Sequence, residues 1–158
     1  MYALPLAGDG ERKPIELLHS QSQPGESRTL GGSLLSPDGR FLSYESNQSG
    51  KDEIYVRPFD PSAAAGAALA AGSWQVSDQG TLTGAIWRRD GKEAYYWAAD
   101  RGLMAVDVGT APSFEFGKPK LLFRLSQAVN VGGGSASVSR DGQRLVFAIN
   151  VPVSISAR

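Results

Sequence analysis

Cysteine is absent from the 158 residues. A disulfide scaffold, a thiolate zinc site and a cysteine nucleophile are therefore excluded, while the compartment stays open. An excess of one charge is absent too, since 16 basic residues balance 16 acidic ones. Nucleic acid and anionic membranes both select a basic face, so neither is an expected partner. No apolar run approaches the roughly 18 residues of a membrane helix, so no membrane insertion is expected. The first ten residues lack the charged-then-apolar order of a signal peptide, and the chain reads as starting within a structure. Histidine occurs once, as His19.

What is present is a repeated turn. Ser36-Pro37-Asp38-Gly39-Arg40, Arg88-Arg89-Asp90-Gly91-Lys92 and Ser139-Arg140-Asp141-Gly142-Gln143 each open a strand. Their aspartates are 52 and then 51 residues apart, a period that signals a repeat architecture. Glycine at the left-handed corner avoids a Cβ clash, and the aspartate can bond its own turn backbone. Recurrence at one structural position assigns Asp38, Asp90 and Asp141 to the turn rather than to ligand binding.

Between the turns the pattern is of short strands. Tyr2–Leu6 and Pro14–Leu18 form a first pair. Leu30–Leu35, Phe41–Ser46, Glu53–Phe59 and Trp74–Val76 form a set of four. Leu82–Trp87, Glu93–Trp97, Leu103–Val108 and Lys120–Arg124 form a second set, and Ser135–Ser139 with Leu145–Ile149 begins a third. The Ala/Gly-rich stretch 61–72 could make a short helix by propensity, but it lacks a strong apolar face and reads as an inserted loop. Four-stranded antiparallel units around an axis are the blades of a β-propeller. The expected fold is all-β: strands C and D of a split blade (1–20), two full blades (29–78 and 79–126), and strands A and B of a further split blade (127–158).

The segments Ser36–Asn47, Asp52–Phe59 and Trp87–Glu93 resemble the TolB-type, WD-like propeller repeats of bacteria. With Leu103-Met104-Ala105-Val106, they are most similar to the propeller that follows some bacterial serine/threonine kinases. The resemblance implies a propeller, often six-bladed, that is usually periplasmic or otherwise outside the cytoplasm and generally serves as a binding platform. It transfers no catalytic residue. The kinase's own Gly-rich, His-Arg-Asp and Asp-Phe-Gly motifs are absent from the sequence.

Three blades' worth of strands does not close a ring, since propellers typically have four to eight. The split blades are complementary, so the expectation is a two-fold homodimer forming a six-bladed ring. The rival is a portion excised from a longer propeller. In such a ring strand A lines the axis, and the loops 20–30, 47–52, 78–83, 100–101 and 127–134 share the mouth. Candidate binding residues there are Asp78, Gln79, Thr81, Thr83, Asn130 and Ser135, with a protein or peptide as ligand. The alternative is a small hydrolase of the esterase, lactonase or phosphotriesterase kind in the axial channel. Its candidates are His19 as base and Asp78 with Asn130 as calcium ligands. Otherwise no cofactor is expected. No Gly-x-Ser-x-Gly elbow occurs, and Gly132-Gly133-Gly134-Ser135 lacks the end of a phosphate loop. Trp74, Trp87 and Trp97 fall within strands and read as core.

Overall fold

A computed structural model describes residues 1–4, 6, 14–18, 30–60, 72–126 and 130–150. Among these residues the fold is all-β, with no helix and with antiparallel pairing throughout. Thirteen strands fall into four sheets in chain order. The first pairs β1 (Tyr2–Ala3) with β2 (Ile15–Glu16). The second runs β3 (Leu30–Leu35), β4 (Phe41–Ser46), β5 (Glu53–Pro58) and β6 (Trp74–Gln75). The third places β7 (Ile86–Trp87), β8 (Glu93–Trp97) and β9 (Gly102–Gly109) side by side, with β10 (Glu115–Phe116) and β11 (Lys120–Arg124) both on β9. The fourth pairs β12 (Asn130–Val138) with β13 (Leu145–Asn150).

The three Asp-Gly turns are built alike. Gly39, Gly91 and Gly142 have φ of 70°, 69° and 69°, the left-handed region that favours glycine. In each, the glycine N–H bonds back three residues, to Ser36, Arg88 or Ser139 (2.8–2.9 Å). Asp38 Oδ1 accepts the Arg40 N–H (3.1 Å) and the Ser36 hydroxyl (2.5 Å). Asp90 takes Lys92 N–H (3.0 Å) and Arg88 Nε (2.8 Å). Asp141 takes Gln143 N–H (3.0 Å) and the Ser139 hydroxyl (2.5 Å). All three carboxylates are occupied by their own turns, as their spacing predicts.

The sheets stack face to face, and β8 displays why. Successive strand side chains point to opposite faces. Ala94, Tyr96 and Ala98 join Phe41, Ile54, Val56, Trp87 and Val106 in one buried cluster toward the four-stranded sheet. Tyr95 and Trp97 join Leu103 and Ala105 in a second, against Val131, Val138, Leu145 and Phe147 of β12 and β13. The Trp87 indole N–H ties the stack across sheets by donating to Ser43 Oγ at 3.0 Å. On the far face of β5, Arg57 Nη1 donates to the Leu17 carbonyl just after β2 (3.3 Å).

Several boundaries depart from the sequence pattern. The strand expected over 82–87 keeps its ladder only at Ile86–Trp87, with an isolated bridge between Thr81 and Ala98. There threonine hydroxyls take over the ladder bonds, as detailed below. Glu115–Phe116 forms an added strand where a Pro/Gly-marked loop is expected. β12 starts at Asn130, and its register shifts between Val131 and Ala136, across the glycine run. The stretch 61–71 lies outside the described residues.

Candidate functional site

The turns at Asp38 and Asp90 each precede the second strand of their set, and a hairpin loop follows that strand at its other end. Turns and hairpin loops therefore occupy opposite ends of the stack. At the hairpin end, three of the five predicted mouth loops meet. The Thr81 N–H donates to the Asp52 carbonyl (2.8 Å), and the Ala99 N–H to the Gly80 carbonyl (3.2 Å). Lys51 Nζ donates to the Asp78 carbonyl (2.7 Å).

A buried carboxylate locks this cluster. Glu53 is fully buried. Its Oε1 accepts the Gly80 N–H at 2.9 Å and pairs with Lys51 Nζ at 3.2 Å. Its Oε2 accepts the Ser77 hydroxyl, whose oxygen in turn accepts the Ile54 N–H (2.7 Å). Burying a charge is tolerable when it is paired and hydrogen-bonded, and Glu53 has both. The lock holds the 77–80 segment against the 47–52 hairpin, so the exposed side chains of Gln48, Asp78 and Gln79 project from a fixed backbone.

Carboxylates cluster at this end, with Lys51 paired to Glu53 and Arg124 to Asp100. Tyr96 lies beneath the loops, and its hydroxyl is pushed well above the usual phenol range by burial, then by Asp78, Glu53 and Asp100. Half-buried Glu45 is raised by burial and then by Asp52. Asp100 is held low by the Gly102 N–H at 2.9 Å and by Arg124, which outweigh its slight desolvation.

The predicted site residues separate into different roles. Asp78 and Gln79 are exposed at the loop cluster. Thr81 is buried; its hydroxyl reaches the Thr83 carbonyl (2.6 Å) and the Trp97 carbonyl (3.0 Å) and accepts the Thr83 N–H (3.2 Å). Thr83 Oγ1 accepts the Trp97 N–H at 3.3 Å. These hydroxyls hold the end of β8 in place of a regular ladder. Asn130 and Ser135 lie in β12 by backbone pairing, with their side chains outside the described part. His19 lies outside the described residues. Among the described residues no group of three His, Cys, Asp or Glu side chains is placed to hold a metal.

One cavity of about 230 Å³ lies where the first strands of three sheets converge, walled by Leu34, Thr83, Ile86, Trp97, Val131, Ala136 and Phe147 among others. Thr83 lies on this wall, and sequence reasoning misses the wall's apolar majority and its aromatic floor. It also misses Glu53. The signal for Glu53 was a glutamate opening a strand otherwise buried along its length, Glu53 to Arg57. No family model matches the chain, and no curated protein matches it.

Proposed function

We propose that this chain is a TolB-like β-propeller segment, a non-catalytic module that binds a protein or peptide at the hairpin end of its sheets. The observation that carries this reading is the locked loop cluster. Exposed Gln48, Asp78 and Gln79 stand on a backbone fixed by Glu53, Lys51 and Ser77, which lowers the ordering cost of binding. The acidic surroundings of Tyr96 and Glu45 favour a peptide carrying basic side chains.

The propeller reading is supported by the stacking of sheets in chain order and by contact between equivalent positions of successive repeats. Gly32 and Gly84, each six residues before its turn aspartate, meet at their backbones. Completion by a second copy is supported by strand counts and exposure. Among the described residues, the β1–β2 and β12–β13 sheets have two strands each, against four in the β3–β6 sheet. Two-stranded sheets are marginal alone, and open edges recruit strands. Tyr2 and Leu4 beside one, and Val146 and Ile149 on the other, are exposed apolar side chains. Two plus two restores the four-stranded unit, so the occupant is another copy of this chain.

The test is selection of peptides from a displayed library on the immobilised protein. Enriched peptides should carry Lys or Arg, and should lose at least about tenfold in affinity for a variant carrying Gln48→Arg, Asp78→Arg and Gln79→Arg. Failure to enrich any peptide, or equal binding to that variant, contradicts the reading.

A further inference from the structure

The second and third Asp-Gly turns share a residue that the first lacks. Arg89 and Arg140 stand at the first corner of their turns, one residue before the aspartate, where the first turn has Pro37. These two turns are neighbours in space. A Cβ on Gly142 would stand 3.3 Å from Arg88 Cδ and 3.6 Å from its Cγ, so the stem of Arg88 packs against the third turn. Between the turns lies a groove of about 230 Å³, lined by Arg88, Arg89, Asp90, Arg140 and Asp141 among others.

The charges in this groove are unequally committed. Arg88 is spent, with Nε on Asp90 (2.8 Å) and Nη1 on Glu93. Asp90 also accepts the Lys92 N–H. Asp141 accepts the Ser139 hydroxyl and the Gln143 N–H, and Arg144 Nη1 lies 3.7 Å from it. Arg40, at the end of the first turn, is used up on the Thr110 and Pro112 carbonyls (2.7 and 3.3 Å). Arg89 and Arg140 differ. Both are exposed, and among the described residues neither side chain has a hydrogen-bond or ion-pair partner. The groove thus has one uncommitted guanidinium from each turn, while the aspartates beside them are already satisfied.

We infer that this groove binds a phosphate dianion, free or as the monoester of a small molecule, between Arg89 and Arg140. A guanidinium presents its donors as a planar fork that matches phosphate oxygens. A phosphate has oxygens enough for a fork from each side, whereas a carboxylate has two. Exposed and unpaired, both side chains can close on a ligand that arrives from solvent. The volume falls below the roughly 300–1,000 Å³ of sites for drug-sized ligands, which suits a single phosphate group. The groove lies at the turn end and within one chain, so it needs neither the loop cluster at the hairpin end nor a second copy.

The probes are inorganic phosphate and methyl phosphate at neutral pH and fixed ionic strength, with acetate as comparator. With ¹⁵N-labelled protein, phosphate should shift the backbone N–H signals of the second and third turns saturably, and acetate should bind more weakly. The tighter of the two phosphates identifies a free or an esterified ligand. Arg89→Gln and Arg140→Gln should each weaken binding about threefold to fivefold, and together about tenfold or more. Replacing both by lysine keeps the charge and removes the fork, and should weaken binding at least about threefold. The first corner of such a turn accepts most residues, so these variants should keep their melting temperature. Lys118→Gln removes an exposed cation elsewhere and should leave affinity unchanged. The inference is overturned if neither phosphate gives a saturable shift, or if acetate binds as tightly. Full affinity in the double glutamine or double lysine variant also overturns it, as does an equal loss in Lys118→Gln.

Discussion

Gly32 and Gly84 touch backbone to backbone: a Cβ on Gly84 would stand 2.3 Å from the Gly32 carbonyl oxygen and 2.7 Å from its Cα. Gly32 (φ 50°) sits at the register shift in β3 and Gly84 lies two residues before β7, and the clash is with backbone rather than with a flexible side chain. The contact sets how closely the first strands of adjacent sheets converge. Gly84→Ala is therefore expected to destabilise the fold by about 3 kcal/mol or more, at the upper end of overpacking costs. Urea denaturation checks this, with Gly91→Ala as a comparison in which a Cβ meets open space but φ is strained.

Glu53 is the acceptor for two buried donors, the Ser77 hydroxyl and the Gly80 N–H. Glu53→Ala strands both. At roughly 1–3 kcal/mol for each orphaned donor, the expected loss is about 2–6 kcal/mol. Glu53→Gln retains an acceptor and should cost less. Amide hydrogen exchange should localise the effect, with Gly80 and Ile54 losing protection first.

The turn carboxylates predict an acid-sensitive limb. Asp38 is lowered from its ordinary 3.8 although burial opposes it, because the Ser36 hydroxyl and Arg40 N–H win. Asp90 is lowered by Arg88 and Lys92, and Asp141 by Ser139 and Gln143. A depressed folded pKa means the unfolded chain binds more protons, so stability rises with pH across that interval. The turns' contribution is present above the ordinary value and is lost as pH falls through the folded ones. Replacing all three by asparagine should flatten the melting temperature below about pH 4. An unchanged acid limb would remove the turns from this role.

Glu45 has the opposite sign. Its carboxylate lies over the backbone of Gly31 and Gly32, and burial with Asp52 raises its pKa. The folded state then binds the proton more tightly than the unfolded one, so stability is lost as pH rises through the interval between the two values. Glu45→Gln should raise the melting temperature at pH 7 and have little effect at pH 4. Calorimetry at the two pH values separates the cases.

The sequence revealed most where it repeated itself. The turns at Asp38, Asp90 and Asp141 were legible because one set of local bonds recurs three times. The bounds of β3, β4, β8 and β11 followed from alternation between those turns. β10 was hidden because its two residues sit between Pro112 and Gly117, where composition signals a loop. Thr81 and Thr83 read as open hydroxyls because their partner, the end of β8, is supplied by a neighbouring strand. The burial of Glu53 was hidden, since Ser77 and Gly80 reach it only across the intervening Ala/Gly-rich stretch. The propensity of a residue is local, whereas its burial depends on which distant backbone folds over it.

We propose that the two-stranded sheets complete each other between copies of the chain. Sedimentation equilibrium at micromolar concentration tests it most directly. The expected mass is twice the 16.7 kDa of one chain, falling to that of a monomer when Val146→Asp places a charge on the exposed face of β13. A stable, monodisperse species of 16.7 kDa for the unaltered protein would contradict it.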